Sequence, residues 1–249
     1  MQNKTQGHLP VNLLNSPAGV LLLNKPKGKT SFSLVSALRK ACNVQKVGHA
    51  GTLDPFASGV MILLVGKQFT RLSDRFLLQN KEYEATLRLG IRTDSYDCDG
   101  KILQESTVIP SQESILEILS TFQGDLLQIP PMFSAKKVNG KKLYELARKG
   151  IEIERAAVSV NVQIQFISYD YPSLKIHVAC SKGTYIRSLA EDIGIALTCG
   201  AHLSDLMRTK SGDFHLKDCF DGSLLSTPGI ASSLPFLSVS DLPFLQSLD

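Results

Sequence analysis

Five stretches of the chain carry the hydrophobic patterns of β-strands. Short apolar runs bounded by turn residues at Gly19–Leu23 and Val60–Val65 predict two buried strands. Apolar and polar residues alternate over Lys81–Leu89, which predicts a strand with one buried and one exposed face. Alternation also runs through Val158–Phe166 and Leu174–Val178, and the proline turn between them predicts that these two strands pair.

Apolar residues at helical spacing mark the helices. Phe32, Val35, Leu38 and Cys42 follow Ser31, which we expect to cap the N-terminus of a helix that carries these four apolar side chains on one face. The other predicted helices lie around Leu72–Leu77, at Gln112–Phe122 after the cap Ser111, at Lys142–Lys149 before Gly150, and at Thr184–Leu197. Helices and strands are interspersed without strict alternation. The predicted fold class is therefore α+β, with a mixed, largely antiparallel central sheet flanked by helices.

The composition places this pattern in an ordinary globular protein. The chain has 249 residues, 43% of them hydrophobic, and a formal net charge of +4, so bulk disorder is excluded and the charge alone names no polyanionic partner. Its longest apolar runs are too short to cross a bilayer, and its polar start lacks the apolar segment of a signal peptide. We therefore expect a cytoplasmic protein with no membrane partner.

The cysteines point to the same compartment. There are five of them, scattered along the chain with no Cys-x-x-Cys pair, as expected of reduced thiols. Cys199 and His202 have the spacing of a metal-ligand pair, but zinc needs a second pair, which the sequence lacks. The sequence predicts no metal site.

A cationic turn follows the first predicted strand. Gly28-Lys29-Thr30 is the second half of a phosphate-binding P-loop, but position 23 is leucine where that motif needs glycine. Lys25, Lys27 and Lys29 still form a basic turn before a helix, which suits a phosphate, including one in a nucleic-acid backbone. A nucleotide hydrolase and a merely solvated lysine turn both remain open at this point.

The loop Gly48–Gly59 offers the best candidate for chemistry. Its three glycines allow close approach to a ligand, and Asp54 stands at its centre before Pro55. The same composition is also ordinary for turns. Because the chain has no G-x-S-x-G elbow, paired cysteine ligands or G-x-G-x-x-G motif, a lone carboxylate is the expected reactive group of an enzyme.

A series of short motifs runs along residues 19–215: Gly19-Val-Leu-Leu-Leu-Asn-Lys-Pro26, Gly48-His-Ala-Gly-Thr-Leu-Asp-Pro55, Lys81-Glu-Tyr83, Asp97-Cys-Asp-Gly100, Gln128-Ile-Pro-Pro-Met-Phe-Ser-Ala135, Gly140-Lys-Lys-Leu-Tyr144, Cys180-Ser-Lys-Gly-Thr-Tyr-Ile-Arg187 and Gly200-Ala-His-Leu203. In their order and spacing these motifs resemble the bacterial tRNA pseudouridine-55 synthase family. The resemblance implies a pseudouridine-synthase-like sheet and isomerisation of uridine to pseudouridine at position 55 in the T arm of tRNA. No cofactor is consumed in that reaction.

The resemblance also implies the catalytic residues. Asp54 corresponds to the catalytic aspartate, which acts as nucleophile on a flipped-out nucleotide, and Arg187 to the cation that keeps it ionised. A bidentate guanidinium would also fix the direction of the carboxylate. Tyr83, which the alternation alone would place as a packed strand aromatic, corresponds to the residue that stacks on the target base and is the candidate for transfer of the C5 proton.

Four further residues match positions that surround the base. Tyr185 and Leu206 correspond to pocket walls, the first stacking or hydrogen-bonding and the second excluding water. His49 corresponds to the residue that enters the RNA stack as the base leaves it. Lys25, in the cationic turn, corresponds to a motif that supports the active-site loop. We also count it among the predicted RNA-binding residues.

A basic segment lies where the family inserts an RNA-gripping element, at about residues 128–155. Lys136–Arg155 contains seven basic and three acidic residues, and Lys136, Lys137, Lys141 and Lys142 are the predicted contacts to the T stem-loop. Phosphate contacts of this kind supply affinity without sequence information. Without the resemblance, the charge of this segment would indicate only a solvent-exposed surface.

The resemblance predicts three regions: an N-terminal extension at 1–18, a catalytic domain at 19–217 that includes the insertion, and a tail at 218–249. Ala50 replaces a threonine common in the family, and the acidic, serine-rich tail stands where longer members continue into a small RNA-binding domain. Weaker tRNA binding than in longer relatives is therefore expected. The expected partner is tRNA, with no obligate protein partner and a monomeric state. A non-catalytic RNA-binding or RNA-folding protein is the alternative.

Overall fold

The computed structural model describes residues 17–134, 136–138, 140–242 and 244. The fourteen strands of this part are β1 (Gly19–Lys25), β2 (Val47–Ala50), β3 (Ser58–Val65), β4 (Lys81–Leu89), β5 (Ile91–Thr93), β6 (Ile102–Glu105), β7 (Gly124–Gln128), β8 (Lys137–Val138), β9 (Lys141–Lys142), β10 (Val158–Asp170), β11 (Ser173–Cys180), β12 (Ala201–Ser211), β13 (Phe214–His215) and β14 (Phe220–Asp221). Its six α-helices are α1 (Ser31–Cys42), α2 (Lys67–Thr70), α3 (Ser73–Leu77), α4 (Gln112–Thr121), α5 (Leu143–Ala147) and α6 (Ile186–Ala196). Four short 3₁₀ helices follow at Leu216–Asp218, Gly222–Ser226, Ile230–Ser233 and Val239–Asp241.

Ten strands form one sheet with the order β14-β1-β3-β12-β4-β11-β10-β7, with β2 beside β3 and β13 beside β12. The pairs β1–β14 and β3–β12 are parallel, and the other pairs are antiparallel. The prediction of a mixed, largely antiparallel sheet flanked by helices is confirmed. The strand β12 lies between β3 and β4 and thereby joins the β14-β1-β3 part of the sheet to the β4-β11-β10-β7 part.

Helices cover the sheet where its strands expose apolar side chains. On β4, Tyr83, Ala85, Leu87 and Leu89 alternate inward and share a core with α4 and α6. On β1, Leu21 and Leu23 pack against Leu34, Val35 and Leu38 of α1. The opposite face of β1 packs Val20 and Leu22 with Phe69 and Phe76 of α2 and α3. Alternation along each strand thus divides the core into separate clusters on the two faces.

The structure corrects three local predictions. Thr30, not Ser31, caps α1, because its side chain accepts a hydrogen bond from the Ser33 amide while Ser31 is turned into the protein. Phe32, expected on the buried face of α1, is exposed. His49 belongs to the strand β2, so the predicted loop Gly48–Gly59 is reduced to the segment between β2 and β3.

The described part of the predicted tail packs onto the sheet. The strand β14 pairs with β1 through Leu23 and Phe220, and Val20 bridges to Leu237. Leu225, Leu234 and Leu242 are buried. Most of the predicted N-terminal extension, residues 1–16, lies outside the described residues, and the domain boundaries stay a prediction.

Candidate active site

A cleft of about 1190 Å³ opens between the β2–β3 loop, the start of β4, the N-terminus of α6 and the segment after β7. The predicted residues that line it are Asp54, Tyr83, Arg187, His49, Tyr185 and Leu206. These residues come from separate parts of the sequence and are brought together by the placement of β12 and α6 beside β3 and β4. The cleft is large enough to admit a nucleotide.

The loop that carries Asp54 is held from below by two side chains. Ser31 Oγ accepts a hydrogen bond of 3.0 Å from the Leu53 amide and donates one of 3.1 Å to the Leu53 carbonyl. Lys25 Nζ donates to the carbonyls of Pro55 at 3.2 Å and Ala57 at 2.7 Å. The backbone on both sides of Asp54 is therefore fixed before any substrate binds.

Lys25 is fully buried, so its ammonium has no surface to offer RNA. Burial lowers the pKa of Lys25 to about 8, with the charge of Asp54 acting in the opposite direction. Of the two roles predicted for Lys25, support of the active-site loop fits these contacts and direct RNA binding does not.

Arg187 meets Asp54 with two nitrogens. Its Nε lies 2.9 Å from Asp54 Oδ2, and its Nη2 donates to Asp54 Oδ1 at 3.3 Å. Arg187 is buried, whereas the side chain of Asp54 is one-third exposed toward the cleft. The side-on guanidinium fixes the direction of the carboxylate and leaves part of it accessible to a ligand.

A second carboxylate, Asp97, shares the same guanidinium. Arg187 Nη1 lies 3.4 Å from Asp97 Oδ2 and donates to the Ser95 carbonyl at 3.2 Å, while Nη2 also donates to the Phe133 carbonyl at 2.8 Å. Burial raises the pKa of Asp97, and the hydrogen bond from Ser95 and the charge of Arg187 oppose that shift. Asp97 lies in one of the motifs that carry the family resemblance, but the sequence alone gave it no role.

Tyr83 and Leu206 line the cleft from neighbouring strands. Both are buried, on β4 and β12, and Tyr83 lies opposite Arg208 in the register of these two strands. Burial raises the pKa of Tyr83, while the charge of Arg208 and a hydrogen bond to it oppose that rise. Tyr83 is therefore a neutral phenol at physiological pH, with a cation at its side.

Arg208 is a buried cation that the sequence did not reveal. Its Nε donates to the Val60 carbonyl at 2.7 Å, and its Nη2 donates to the Gly51 carbonyl at 3.0 Å. A side chain at Gly59 would put its Cβ 2.2 Å from the Arg208 carbonyl oxygen, so glycine is needed there for β3 to approach β12. Arg208 lies two residues after Leu206 and on the same cleft. Strand periodicity would have found it had β12 been predicted.

Tyr185 and His49 both line the cleft. Tyr185 is half-buried, and its backbone is held by Gln128, whose side chain accepts from the Tyr185 amide at 2.8 Å and donates to its carbonyl at 3.0 Å. His49 is half-buried, and burial together with the charge of Arg208 lowers its pKa, which favours a neutral ring. Gln128 is thus a further positioning residue that the sequence did not reveal.

The predicted RNA-contacting lysines lie in the segment just before Tyr144, which lines the cleft. Lys141 is exposed, and Lys136 and Lys142 are half-buried. Lys142 Nζ lies 5.5 Å from the ring centre of Tyr144, and Arg148 approaches the same ring at 5.4 Å. The side chain of Lys137 lies outside the described part of the structure. Tyr144 and Arg148 both line the cleft, so the basic segment reaches it directly.

Neither a metal cluster nor a membrane-spanning helix occurs in the part of the chain that the structure describes. No group of three or more His, Cys, Asp and Glu side chains in residues 17–134, 136–138, 140–242 and 244 could hold a metal ion. No helix in the same residues has the length and apolar character needed to cross a membrane.

Comparisons with known proteins agree with this geometry. The family model "TruB family pseudouridylate synthase (N terminal domain)" matches residues 39–186, and "tRNA pseudouridylate synthase B C-terminal domain" matches residues 187–226. The chain is 60% identical over 209 residues to the tRNA pseudouridine synthase B of Protochlamydia amoebophila, which covers 84% of this chain and 80% of that protein. It is 57% identical over 219 residues to the corresponding protein of Chlamydia abortus, covering 88% and 93%.

Solved structures share the fold. A Cbf5-Nop10-Gar1 complex contains a chain that matches with a TM-score of 0.64 and 30% identity over 82% of this chain. The match spans about half (52%) of that longer chain. Together with the family matches, this similarity shows that the chain belongs to the TruB family of pseudouridylate synthases.

Proposed function

We propose that this chain isomerises uridine 55 in the T arm of tRNA to pseudouridine, with Asp54 as the nucleophile. The observation that carries the proposal is the buried Arg187, which fixes one side of Asp54 while the carboxylate still faces the cleft. Relatives of 57–60% identity bear the name tRNA pseudouridine synthase B. A non-catalytic RNA-binding protein would have no use for a carboxylate oriented in this way. The nucleotide-hydrolase alternative lacks half of its motif, because leucine occupies position 23 where a P-loop needs glycine.

The reaction sets clear demands on the site. The bond from ribose C1′ to N1 breaks, the detached uracil turns, and a bond from C1′ to C5 forms. The Asp54 carboxylate serves this sequence either by attacking the sugar or by assisting elimination, and Arg187 holds its direction in both cases. The fixed loop beneath Asp54 holds the carboxylate at the sugar while the base moves.

Proton balance assigns the task of Tyr83. The C5 atom loses a proton and N1 of the product carries one, so the site must relay a proton without net gain. Tyr83 is a phenol at neutral pH because burial raises its pKa. Tyr83 therefore gives its hydroxyl proton to N1 and takes the C5 proton in its place, so the phenol is restored. Arg208 is a positioning residue that stabilises negative charge on the Tyr83 oxygen during the relay. Leu206 and Tyr185 keep the flipped base in place and exclude water.

The substrate partner belongs to the same proposal. Lys136, Lys137, Lys141 and Lys142 grip the backbone of the T stem-loop, and His49 enters the stack that the target base has left. Residues 19–217 form the catalytic domain, with the insertion at about 128–155 and the tail after residue 217. All five cysteines are free thiols, which supports a cytoplasmic location. The protein acts as a monomer.

The test is to map pseudouridine in unmodified tRNA after incubation with the wild-type protein and with Asp54→Ala. We expect modification at uridine 55 with the wild type only, while both proteins bind the RNA. Tyr83→Phe should slow product formation more than it weakens binding. Turnover of Asp54→Ala near the wild-type rate would refute the assignment of the nucleophile.

A further inference from the structure

Phe32 is exposed in a place where the hydrophobic pattern predicts burial. It lies in the first turn of α1, and 64% of its surface is accessible to solvent. The other large apolar residues of this helix, Leu34, Val35 and Leu38, are buried. A single exposed apolar residue needs no explanation by itself. What matters is where this ring lies.

The ring of Phe32 lines the mouth of the cleft that holds Asp54. His49 and Leu77 line the same mouth, and Leu77 is also exposed at its surface. Phe32 and Leu77 thus add exposed apolar surface to this cleft, and His49 adds a half-buried ring. We refer to Phe32, His49 and Leu77 as the shelf.

The shelf is bordered by positive charge. Lys29 is exposed in the turn just before α1, and the Arg39 guanidinium lies 6.0 Å from the centre of the Phe32 ring. Lys27 is exposed in the same turn and shares its charge with Asp205 at 2.7 Å. The first turn of α1 contains no acidic residue. An occupant of the shelf therefore has an apolar, flat part and negative charge beside it.

We propose that the shelf is a stacking platform for a nucleobase of the RNA next to the target nucleotide, with Phe32 as its main contact. This inference rests on the proposed function, since it takes the occupant of the cleft to be RNA. Proteins bind unpaired bases by stacking them on aromatic rings while cationic side chains follow the phosphates. Because His49 takes the place that the target base leaves in the stack, the ring of Phe32 stacks on the face of an unpaired base beside the target nucleotide.

Binding measurements test the proposal with two matched changes. Phe32→Ala should raise the Kd of a T-arm stem-loop RNA by roughly 5- to 100-fold, the range expected for removal of one base–aromatic stack. Phe32→Tyr keeps a flat ring and should bind within about 3-fold of the wild type. Leu127→Ala is the control, because Leu127 is 78% exposed on the edge strand β7 and does not line the cleft. It should leave the Kd unchanged.

A spectroscopic measurement reports the stack itself. The chain contains no tryptophan, so Phe32→Trp places a single indole at the shelf. We expect its fluorescence to be quenched when T-arm RNA binds, and an Asp54→Asn background prevents turnover during the titration. Binding of RNA to this variant without a change in emission would overturn the proposal, as would an unchanged Kd for Phe32→Ala. Absence of T-arm binding by the wild-type protein would instead overturn the proposed function.

Discussion

The floor and the rim of the cleft are built in different ways. On the floor, Asp54, Arg187 and Asp97 are tied together, and Lys25 and Arg208 each donate to backbone carbonyls of neighbouring strands or loops. These contacts join residues far apart in sequence, such as Arg208 with Gly51 across 157 positions. The floor therefore exists only in the folded protein, and each of its three cations, Lys25, Arg187 and Arg208, already has protein partners.

By the rim we mean Lys29 and the lysines of the insertion, which lie in local elements of the chain. Lys29 lies in a turn, and Lys141 lies in the short strand β9 of the insertion. Neither makes an ion pair with a described residue, and neither needs the sheet to define its position. The contrast predicts that changes in the floor alter the rate of the chemical step and the stability of the fold, whereas changes in the rim alter affinity and its dependence on salt.

Loss of charge at Asp54 should have the largest effect on turnover. Asp54→Asn keeps the size of the side chain but removes the proposed nucleophile, so we expect the single-turnover rate to fall by about 10⁴-fold or more. The Kd for T-arm RNA should stay within about 3-fold of the wild type, because affinity comes from the rim. Asp213→Asn, a change at an exposed aspartate on the β12–β13 turn, is the control. A large rise in Kd for Asp54→Asn would break the division between floor and rim.

Removal of Arg187 should affect both stability and rate. Arg187→Leu leaves two carboxylates without their shared cation, and breaking a buried ion pair in this way costs about 3–5 kcal/mol of unfolding free energy. Adding Asp97→Asn should restore part of that stability, since Asp97 is the more buried of the two acids. The single-turnover rate should stay low in the double variant because Asp54 is still unsupported. Chemical denaturation and rapid-quench assays measure the two effects separately, and recovery of both together would contradict this reasoning.

The same division explains what could be predicted from the sequence. Strict alternation in Lys81–Leu89 predicted β4 with the bounds it has in the structure. The strand β12 was missed because its register shifts between Leu203 and Asp205 and again between Arg208 and Lys210. Each irregularity breaks the two-residue period on which the prediction depends. Arg208 was missed together with the strand.

Other site features were missed because they depend on tertiary contacts. No pattern in the sequence indicates that Asp97 shares Arg187 with Asp54, or that Gln128 holds the backbone of Tyr185. Helical spacing put Phe32 on the buried face of α1, but that side of the first turn meets the cleft and not the core. Periodicity reports which side of an element is apolar and does not report what lies opposite.

Lys25, which belongs to the floor of the cleft, should make the free energy of unfolding depend on pH. Burial lowers the pKa of Lys25 to about 8 in the folded protein from the ordinary 10.5. Between these values the unfolded chain binds more protons, so the contribution of Lys25 to stability increases as pH rises through that window. We expect the unfolding free energy of the wild type to rise relative to Lys25→Met between about pH 8 and 10, on the order of 1–3 kcal/mol.

Urea denaturation across this pH range provides the measurement, with Lys29→Met as the matched control from the exposed part of the same turn. The difference between wild type and Lys29→Met should stay constant with pH. A constant difference for Lys25→Met as well would show that folding does not lower the pKa of Lys25. Burial would then impose no desolvation cost on its ammonium.

The smallest expected effect per residue comes from the lysines of the insertion. A triple change of Lys136, Lys141 and Lys142 to alanine should raise the Kd for T-arm RNA by about 3- to 10-fold for each lysine that binds a phosphate in the wild type. It should also reduce the slope of log Kd against log salt by about 0.7–0.9 for each such lysine. Lys67→Ala removes an exposed charge from α2, outside the cleft, and should change neither quantity. Because the floor is untouched, the single-turnover rate at saturating RNA should equal that of the wild type. An unchanged salt slope together with a slower chemical step would instead mean that the insertion acts on the arrangement of Asp54 and Arg187. Floor and rim would then be one functional unit.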